Sequence, residues 1–420
     1  MKALAALLAL AFALALPSGS QAAAPTVSGE PVASESHEIL VMLRMPAPHF
    51  RPNARYGGRY DDRAAQAARR RVAAEIARDN GLELIEGWPM PLVGVDCYVM
   101  RVPAGRPIEP VIEQISRHPM VAWSQPLNSF ETLADTAPPR DPPRDPLFSV
   151  QPAASEWRLA DLHGLATGRG VTIAVIDSKI EVGHPDLAGQ FSASRDFLVN
   201  RPGAAEDHGT GIAGVIAAKG NGVGILGIAP GARLMALRAC YERQRGDAVV
   251  SSCDSLTLAK ALHFALERGA DVINMSLSGP PDPLLSSLIA LGLERRIAVV
   301  AAFDPDRPGG GFPASVPGVI SVAEESLRSL PARVYRAPGR DVPTTQPGGK
   351  WYFVNGSSFA AAHVTGLVAL LREARSTASP ATAIERSATG AIDACGTLVT
   401  VTADCDCPCA ITRARAGRRN

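Results

Sequence analysis

A serine, a histidine and an aspartate stand in settings that suit nucleophilic attack on a carbonyl. Ser358 follows Gly356-Ser357 and opens the run Phe359-Ala360-Ala361-Ala362-His363-Val364-Thr365-Gly366. Residues 359–371 carry no Pro, Asp, Glu, Lys or Arg, which predicts a buried helix with Ser358 in its first turn. Unpaired N–H groups and the positive end of the macrodipole favour an oxyanion there. Serine also caps helices, so Ser358 alone decides nothing. A nucleophile needs a base, and the base an orienter. His208, in Asp207-His208-Gly209-Thr210-Gly211, opens another helical pattern. Glycines at 209, 211 and 214 permit close packing against a sheet. A helix N-terminus favours the neutral imidazole that proton abstraction requires. Asp177 ends the apolar run 171–176 and is expected to orient His208 and stabilise its charged form. His184, Asp186, Asp207 and His363 are the rivals. Asp186 and Asp207 read as exposed, Asp207 adjoins His208 too closely to face its ring, and His363 reads as a packing residue one turn past Ser358.

The order Asp, His, Ser is the subtilisin order. Asp177-Ser178, followed by His184-Pro185-Asp186-Leu187, resembles that family's Asp-[Thr/Ser]-Gly block. His208-Gly209-Thr210 resembles its His-Gly-Thr block, and Gly356-Ser357-Ser358-Phe359-Ala360 its Gly-Thr-Ser-Met-Ala block. From about 145 to 377 the chain is similar to a subtilase, a subtilisin-like serine endopeptidase. The resemblance implies a three-layer α/β sandwich with a mainly parallel sheet. It implies an acyl-enzyme on Ser358 and a peptide or protein substrate. It also implies that Ser276, Leu277, Ser278 and Gly279 border the specificity pocket and pair with substrate backbone, a physically sensible mode for extended peptides. No cofactor is required; structural calcium occurs in such enzymes, and no site for it is placed. Two positions depart from the family. Lys179 stands where Gly is usual, which points to a rearranged loop. Asp304 stands where the oxyanion Asn is usual. An ionised Asp cannot donate to an oxyanion, whereas a protonated one in an apolar site can. Weak or specialised proteolysis is the expectation.

Residues 177, 208 and 358 must be gathered by a scaffold. Apolar runs at 171–176, 233–238, 271–276, 297–302 and 319–323 alternate with helical patterns at 208–219, 254–268 and 283–294. That rhythm predicts an α/β fold with a largely parallel sheet. Asp177 then lies just past the carboxyl end of a strand, where such sheets place chemistry. Upstream, strands at 38–44, 82–86, 97–102 and 121–125 interleave with helices at 61–79 and 108–118. This β-α-β-β-α-β order is that of a small ferredoxin-like α+β unit. By position and pattern it resembles a subtilase propeptide, which implies that the chain's own propeptide is an intramolecular inhibitor. The expected division is a signal peptide at 1–24, the propeptide-like domain at 36–130, a Pro-rich linker at 131–150, the catalytic domain at 151–392 and a Cys-rich tail at 393–420. Cleavage of a proenzyme is expected between 132 and 146.

Composition narrows the partners. A hydrophobic share of 46% against 20% charge suits a globular protein, and a net charge of +1 gives no reason to propose nucleic acid. Arginines at 44, 51, 55, 59, 63 and 69–71 are interleaved with acids, as on a solvated helix face. Met1-Lys2, an apolar run to Leu16 and a small-residue exit form a secretory signal, too short for a membrane span. A secreted or periplasmic location follows, and with it disulfides. Of seven cysteines, Cys240 and Cys253 flank a polar loop and are the expected pair. Cys395 is expected to bond a tail cysteine (Cys405, Cys407 or Cys409), and Cys97 is the odd thiol. The tail lacks the paired spacing of a metal site. Two other functions compete: a peptide-binding protein of this fold that does not cleave, motivated by the two departures, and an α/β-hydrolase esterase. The latter fails because no Gly-x-Ser-x-Gly elbow surrounds Ser358 and the triad order differs.

Overall fold

The computed structural model describes residues 37–45, 60–133, 147–199, 201–245, 248–374 and 383–402. The expected signal peptide at 1–24, residues 134–146 and the tail cysteines Cys405, Cys407 and Cys409 lie outside these.

The N-terminal unit follows the expected order: β1 (Glu38–Arg44), α1 (Tyr60–Asp79), β2 (Glu83–Met90), β3 (Val95–Arg101), α2 (Ile108–Ser116) and β4 (Val121–Pro126). Its antiparallel sheet runs β2-β3-β1-β4. Alternation along β1 gives the sheet two buried faces. Ile39, Val41 and Leu43 pack with Ile76, Val111 and Ile115. Leu40 and Met42 face the other way, into a core shared with the second half of the chain. Strand β5 (Ser129–Thr132) then leaves this unit for a different sheet. Ordered structure therefore runs past the expected linker start at 131.

The larger unit contains α3 (Pro152–Glu156), α4 (Leu159–Leu165), β6 (Thr172–Asp177), β7 (Phe191–Asp196), α5 (Asp207–Ala217), β8 (Arg233–Arg238), β9 (Cys240–Arg245) and β10 (Ala248–Asp254). There follow α6 (Ser255–Glu267), β11 (Val272–Met275), β12 (Leu277–Ser278), α7 (Pro283–Glu294), β13 (Ala298–Ala302), β14 (Ile320–Glu324) and β15 (Tyr335–Ala337). A hairpin of β16 (Val342–Gln346) and β17 (Lys350–Val354) precedes α8 (Ser357–Glu373), and α9 (Ala394–Thr402) comes last. Seven strands form a parallel sheet in the order β15-β14-β13-β11-β6-β8-β7. Ile173 and Val175 of β6 point into a core with α5 and α8, while Ala174 and Ile176 point into one with α6 and α7. The expected three-layer α/β sandwich is what the chain adopts.

Local signals explain the helix starts. Asp254 caps α6 by accepting the Thr257 N–H, and Asp282 caps α7 by accepting that of Leu285. Each such cap contributes about 1 kcal/mol. Helix α9 carries Cys395 and Leu398 into the main core, so the compact fold extends beyond the expected limit at 392. The segment 241–252, expected as a polar loop, is the β9–β10 hairpin, closed at its base by the Cys240–Cys253 disulfide. Cys97 is a buried free thiol, and burial pushes its pKa far up. Cys395 is disulfide-bonded.

Candidate active site

Asp177 is the last residue of β6 rather than just beyond it, and it is buried. Its Oδ1 lies 2.7 Å from His208 Nδ1 and accepts the Ser178 N–H at 2.6 Å. His208 is held in the first turn of α5 because Gly209 and Gly214 let that helix sink. A Cβ at 209 would stand 2.5 Å from the Ser178 carbonyl, and one at 214 would stand 2.3 Å from Thr345 Oγ1. The close packing is thus against the loop after β6 and against β16, not the central sheet. Burial works against a charge on His208, but the Asp177 carboxylate, its hydrogen bond and Glu242 outweigh it and raise the imidazole pKa. The helix terminus does not set the neutral form, contrary to the sequence expectation.

Ser358 is fully buried at the second position of α8. Gly356 precedes the helix at φ 129°, a conformation that L side chains rarely adopt. Ser358 Oγ donates to the Ser276 carbonyl at 3.1 Å. His208 Nε2 is buried and without a hydrogen-bond partner among the described residues.

Strand β5 runs up to Ser358, antiparallel between β12 and β10, in a sheet ordered β12-β5-β10-β9. Glu131 pairs with Ser278 and Thr132 with Leu277 on one side; Phe130 pairs with Cys253 and Glu131 with Ser252 on the other. At the end of the strand Leu133 meets the serine twice. Its carbonyl accepts the Ser358 N–H at 3.2 Å, and its N–H donates to Ser358 Oγ at 3.1 Å. Phe130 is fully buried beside Phe312, with ring centroids 5.8 Å apart. A Cβ at Gly279 would stand 2.0 Å from the Phe130 ring, so the absence of a side chain there makes the ring's seat. Ser276 Oγ donates to the Ser358 carbonyl at 2.9 Å, locking the β11–β12 connection to α8.

Asp304, two residues beyond β13, turns back into its own loop. Its Oδ1 accepts the Asp306 N–H at 3.0 Å and its Oδ2 lies 3.2 Å from Arg307 Nε. Lys179 needs no glycine conformation: its φ is not positive, its carbonyl accepts the Glu206 N–H and its own N–H donates to Glu206 Oε2.

The rivals sit elsewhere. His184 bonds the Lys350 carbonyl and stacks edge-on to Trp351. Asp186 is fully buried, not exposed, and accepts from the Ile225 N–H and Trp351 Nε1. His363 bonds the Phe359 carbonyl, packs against Trp157 and is pushed down by burial to about 4. Among the described residues no group of three or more His, Cys, Asp or Glu is placed to hold a metal, so no calcium site is assigned.

Three residues escaped the sequence reading. Leu133 carried no motif. Glu242 and Arg243 lay in what read as a polar loop. Glu242 Oε1 accepts the His208 N–H at 2.7 Å, capping the helix from outside it. Burial pushes Glu242 up to about 7, with Asp207 and Glu206 adding to the rise and the His208 N–H opposing it.

Residues 168–394, more than half of the chain, match the subtilase family, peptidase S8. The chain is 30% identical to subtilisin E of Bacillus subtilis (strain 168) over 281 residues, covering 63% of this chain and 68% of that one. It is 33% identical to a subtilisin of Bacillus pumilus over 241 residues, 53% of this chain and 84% of that one. It is 32% identical to an intracellular serine protease of Paenibacillus polymyxa over 229 residues, 49% and 68% respectively. Fervidolysin from Fervidobacterium pennivorans, a keratinolytic enzyme related to subtilisin, superposes with a TM-score of 0.63 at 20% identity. That superposition covers 86% of this chain and 60% of fervidolysin.

Proposed function

The chain belongs to the subtilase family and is a subtilisin-like serine endopeptidase, and we propose that Ser358, His208 and Asp177 are its catalytic triad, made as a secreted proenzyme that cuts itself after Leu133. Ser358 Oγ leaves the Ser276 carbonyl, gives its proton to His208 Nε2 and attacks the peptide carbonyl. Asp177 holds the Nδ1 side and stabilises the imidazolium. The Ser358 N–H stabilises the oxyanion. His208 returns the proton to the leaving amine, and water releases the acyl group from Ser358.

One observation carries this reading. Leu133 presents its carbonyl to the Ser358 N–H while β5 is zipped into both cleft walls, the posture of a substrate. The bond presented is Leu133–Ala134, at the start of the Pro-rich segment. Until that bond is cut, the N-terminal unit blocks the cleft as an inhibitor. Gln125 ties it to the α7 terminus through Asp282 and the Leu284 N–H, and burial of Phe130 stabilises the seated strand by about 2 kcal/mol. Export is supported by the Met1–Ala24 pattern and the Cys240–Cys253 disulfide. No helix among the described residues is long and apolar enough to cross a membrane.

A peptide binder that does not cleave would share the cleft, and the unpartnered His208 Nε2 speaks for it. Resting geometry is often loose until substrate is bound, so it does not decide the matter. A fluorophosphonate probe does. The matured wild type is expected to be labelled and Ser358→Ala not. A folded, matured protein that stays unlabelled, and leaves peptides uncut, rules out the peptidase reading.

A further inference from the structure

We propose that Arg243 selects an acidic side chain two residues before the residue whose carbonyl is attacked, so that preferred substrates carry Glu or Asp there. This rests on the cleft reading above, in which Leu133 supplies that carbonyl and Glu131 occupies the selected position.

The geometry comes from the sheet. Side chains alternate along β5, so Phe130 points inward and Glu131 outward. Glu131 pairs with Ser252 of β10, and Ser252 pairs with Tyr241 of β9. Arg243 lies two residues along β9 from Tyr241 and therefore shares the face of Glu131, with β10 between them, a gap that the long arginine side chain crosses. Its Nη2 stands 3.0 Å from Glu131 Oε1. Both side chains are about one-third exposed, at 33% and 32%, so the pair is reached by water but not dissolved in it.

Neighbouring positions show what the contact is for. Strand pairing with β12 and β10 uses backbone groups and is indifferent to side chains. Phe130 and Leu133 are read by apolar contact. At the Glu131 position the side chain meets a charge, so the charge is what is read. A lysine there would face the Arg243 guanidinium. Glu242, the neighbour of Arg243, alternates to the opposite face and is engaged by the His208 N–H, so it does not neutralise Arg243.

The test uses enzyme matured from the full chain and fluorogenic peptides of the β5 sequence, Phe-Xaa-Thr-Leu-Ala, with Glu, Gln or Lys at Xaa. At low salt kcat/KM is expected to fall from Glu to Gln by about two- to fivefold and again by about as much to Lys, the range of a partly exposed ion pair. The spread should shrink towards unity near about 1 M NaCl, where screening acts within a few ångströms. Arg243→Glu should reverse the order. Should that variant not fold, Arg243→Gln should flatten it. Equal rates for the three peptides with the wild type overturn the proposal and leave the peptidase intact. Failure to cut any of them, with no fluorophosphonate labelling, overturns the peptidase reading and this inference with it.

Discussion

Two aspartates hold matching places at the carboxyl ends of parallel strands and do different things. Asp177 closes β6; Asp304 comes after β13, with β11 lying between the two strands. Asp177 reaches across to another element and takes the proton side of His208. Asp304 is captured locally, by an N–H two residues on and a guanidinium three residues on. The loop that each aspartate opens makes the difference. Ser178 uses its hydroxyl on Gly209 of α5 and leaves the second residue of the motif bound to the helix. Pro305-Asp306-Arg307 instead curls back, giving Asp304 a turn to cap. The topological position makes an aspartate available; the next three residues choose between a long-range partner and a local one.

The largest way to break the contrast is to neutralise the long-range member. Asp177→Asn should lower kcat by about 10⁴-fold, the order of loss found on removing the corresponding residue of subtilisin itself. The removed carboxylate raises the His208 pKa. The surviving activity should therefore rise with pH through a lower value than in the wild type, whose acid limb is expected above the ordinary range of histidine. A kcat/KM profile of both proteins checks loss and shift together.

Asp304→Asn addresses the local member. Asparagine keeps the acceptor for the Asp306 N–H and gains a donor. In subtilisin a donor at this place is worth about 10² to 10³ in kcat. The variant should hold wild-type kcat or raise it, by up to about 10²-fold. A fall of tenfold or more in steady-state kinetics would mean that the carboxylate itself is needed where it lies.

The smallest effect belongs to Glu242, which supports the long-range pair from behind. Its charge raises the His208 pKa. Glu242→Gln should then move the acid limb of kcat/KM to lower pH, while the amide oxygen still caps His208. Stability moves in the opposite sense. A glutamate raised from 4.5 to about 7 by burial contributes stability below 4.5 that is lost as pH climbs through 7. The melting temperature of the variant should match the wild type near pH 4.5 and gain on it above pH 7.

Legibility in the sequence divides along the same line. His208 and Ser358 stand out because their runs carry glycines or small residues that close approach requires, and Asp177 because it ends an apolar strand run. The N-terminal unit was legible because its periodicities are regular, and its sheet order is that of the expected unit. Strand β5 was not. Its four residues straddle the expected boundary between the propeptide-like domain, ending at 130, and the linker, starting at 131, and only pairing to β12 and β10, more than a hundred residues away, makes them a strand. Glu242 and Arg243 stayed hidden for the same reason: their partners are set by the hairpin's register, which polar residues between two cysteines do not announce. Asp304 was visible as a departure, but its capture by Arg307 depends on a turn that no periodicity encodes.

The β9–β10 hairpin has one further consequence, for inheritance. Its ends are joined by a disulfide across 13 residues of sequence. Within it, neighbouring residues look in opposite directions, Glu242 to the catalytic helix and Arg243 to the cleft strand. On the roles proposed for His208 and Arg243, base tuning and substrate preference travel together on one sealed cassette, which a relative could receive as a block without a change in any residue of its own triad.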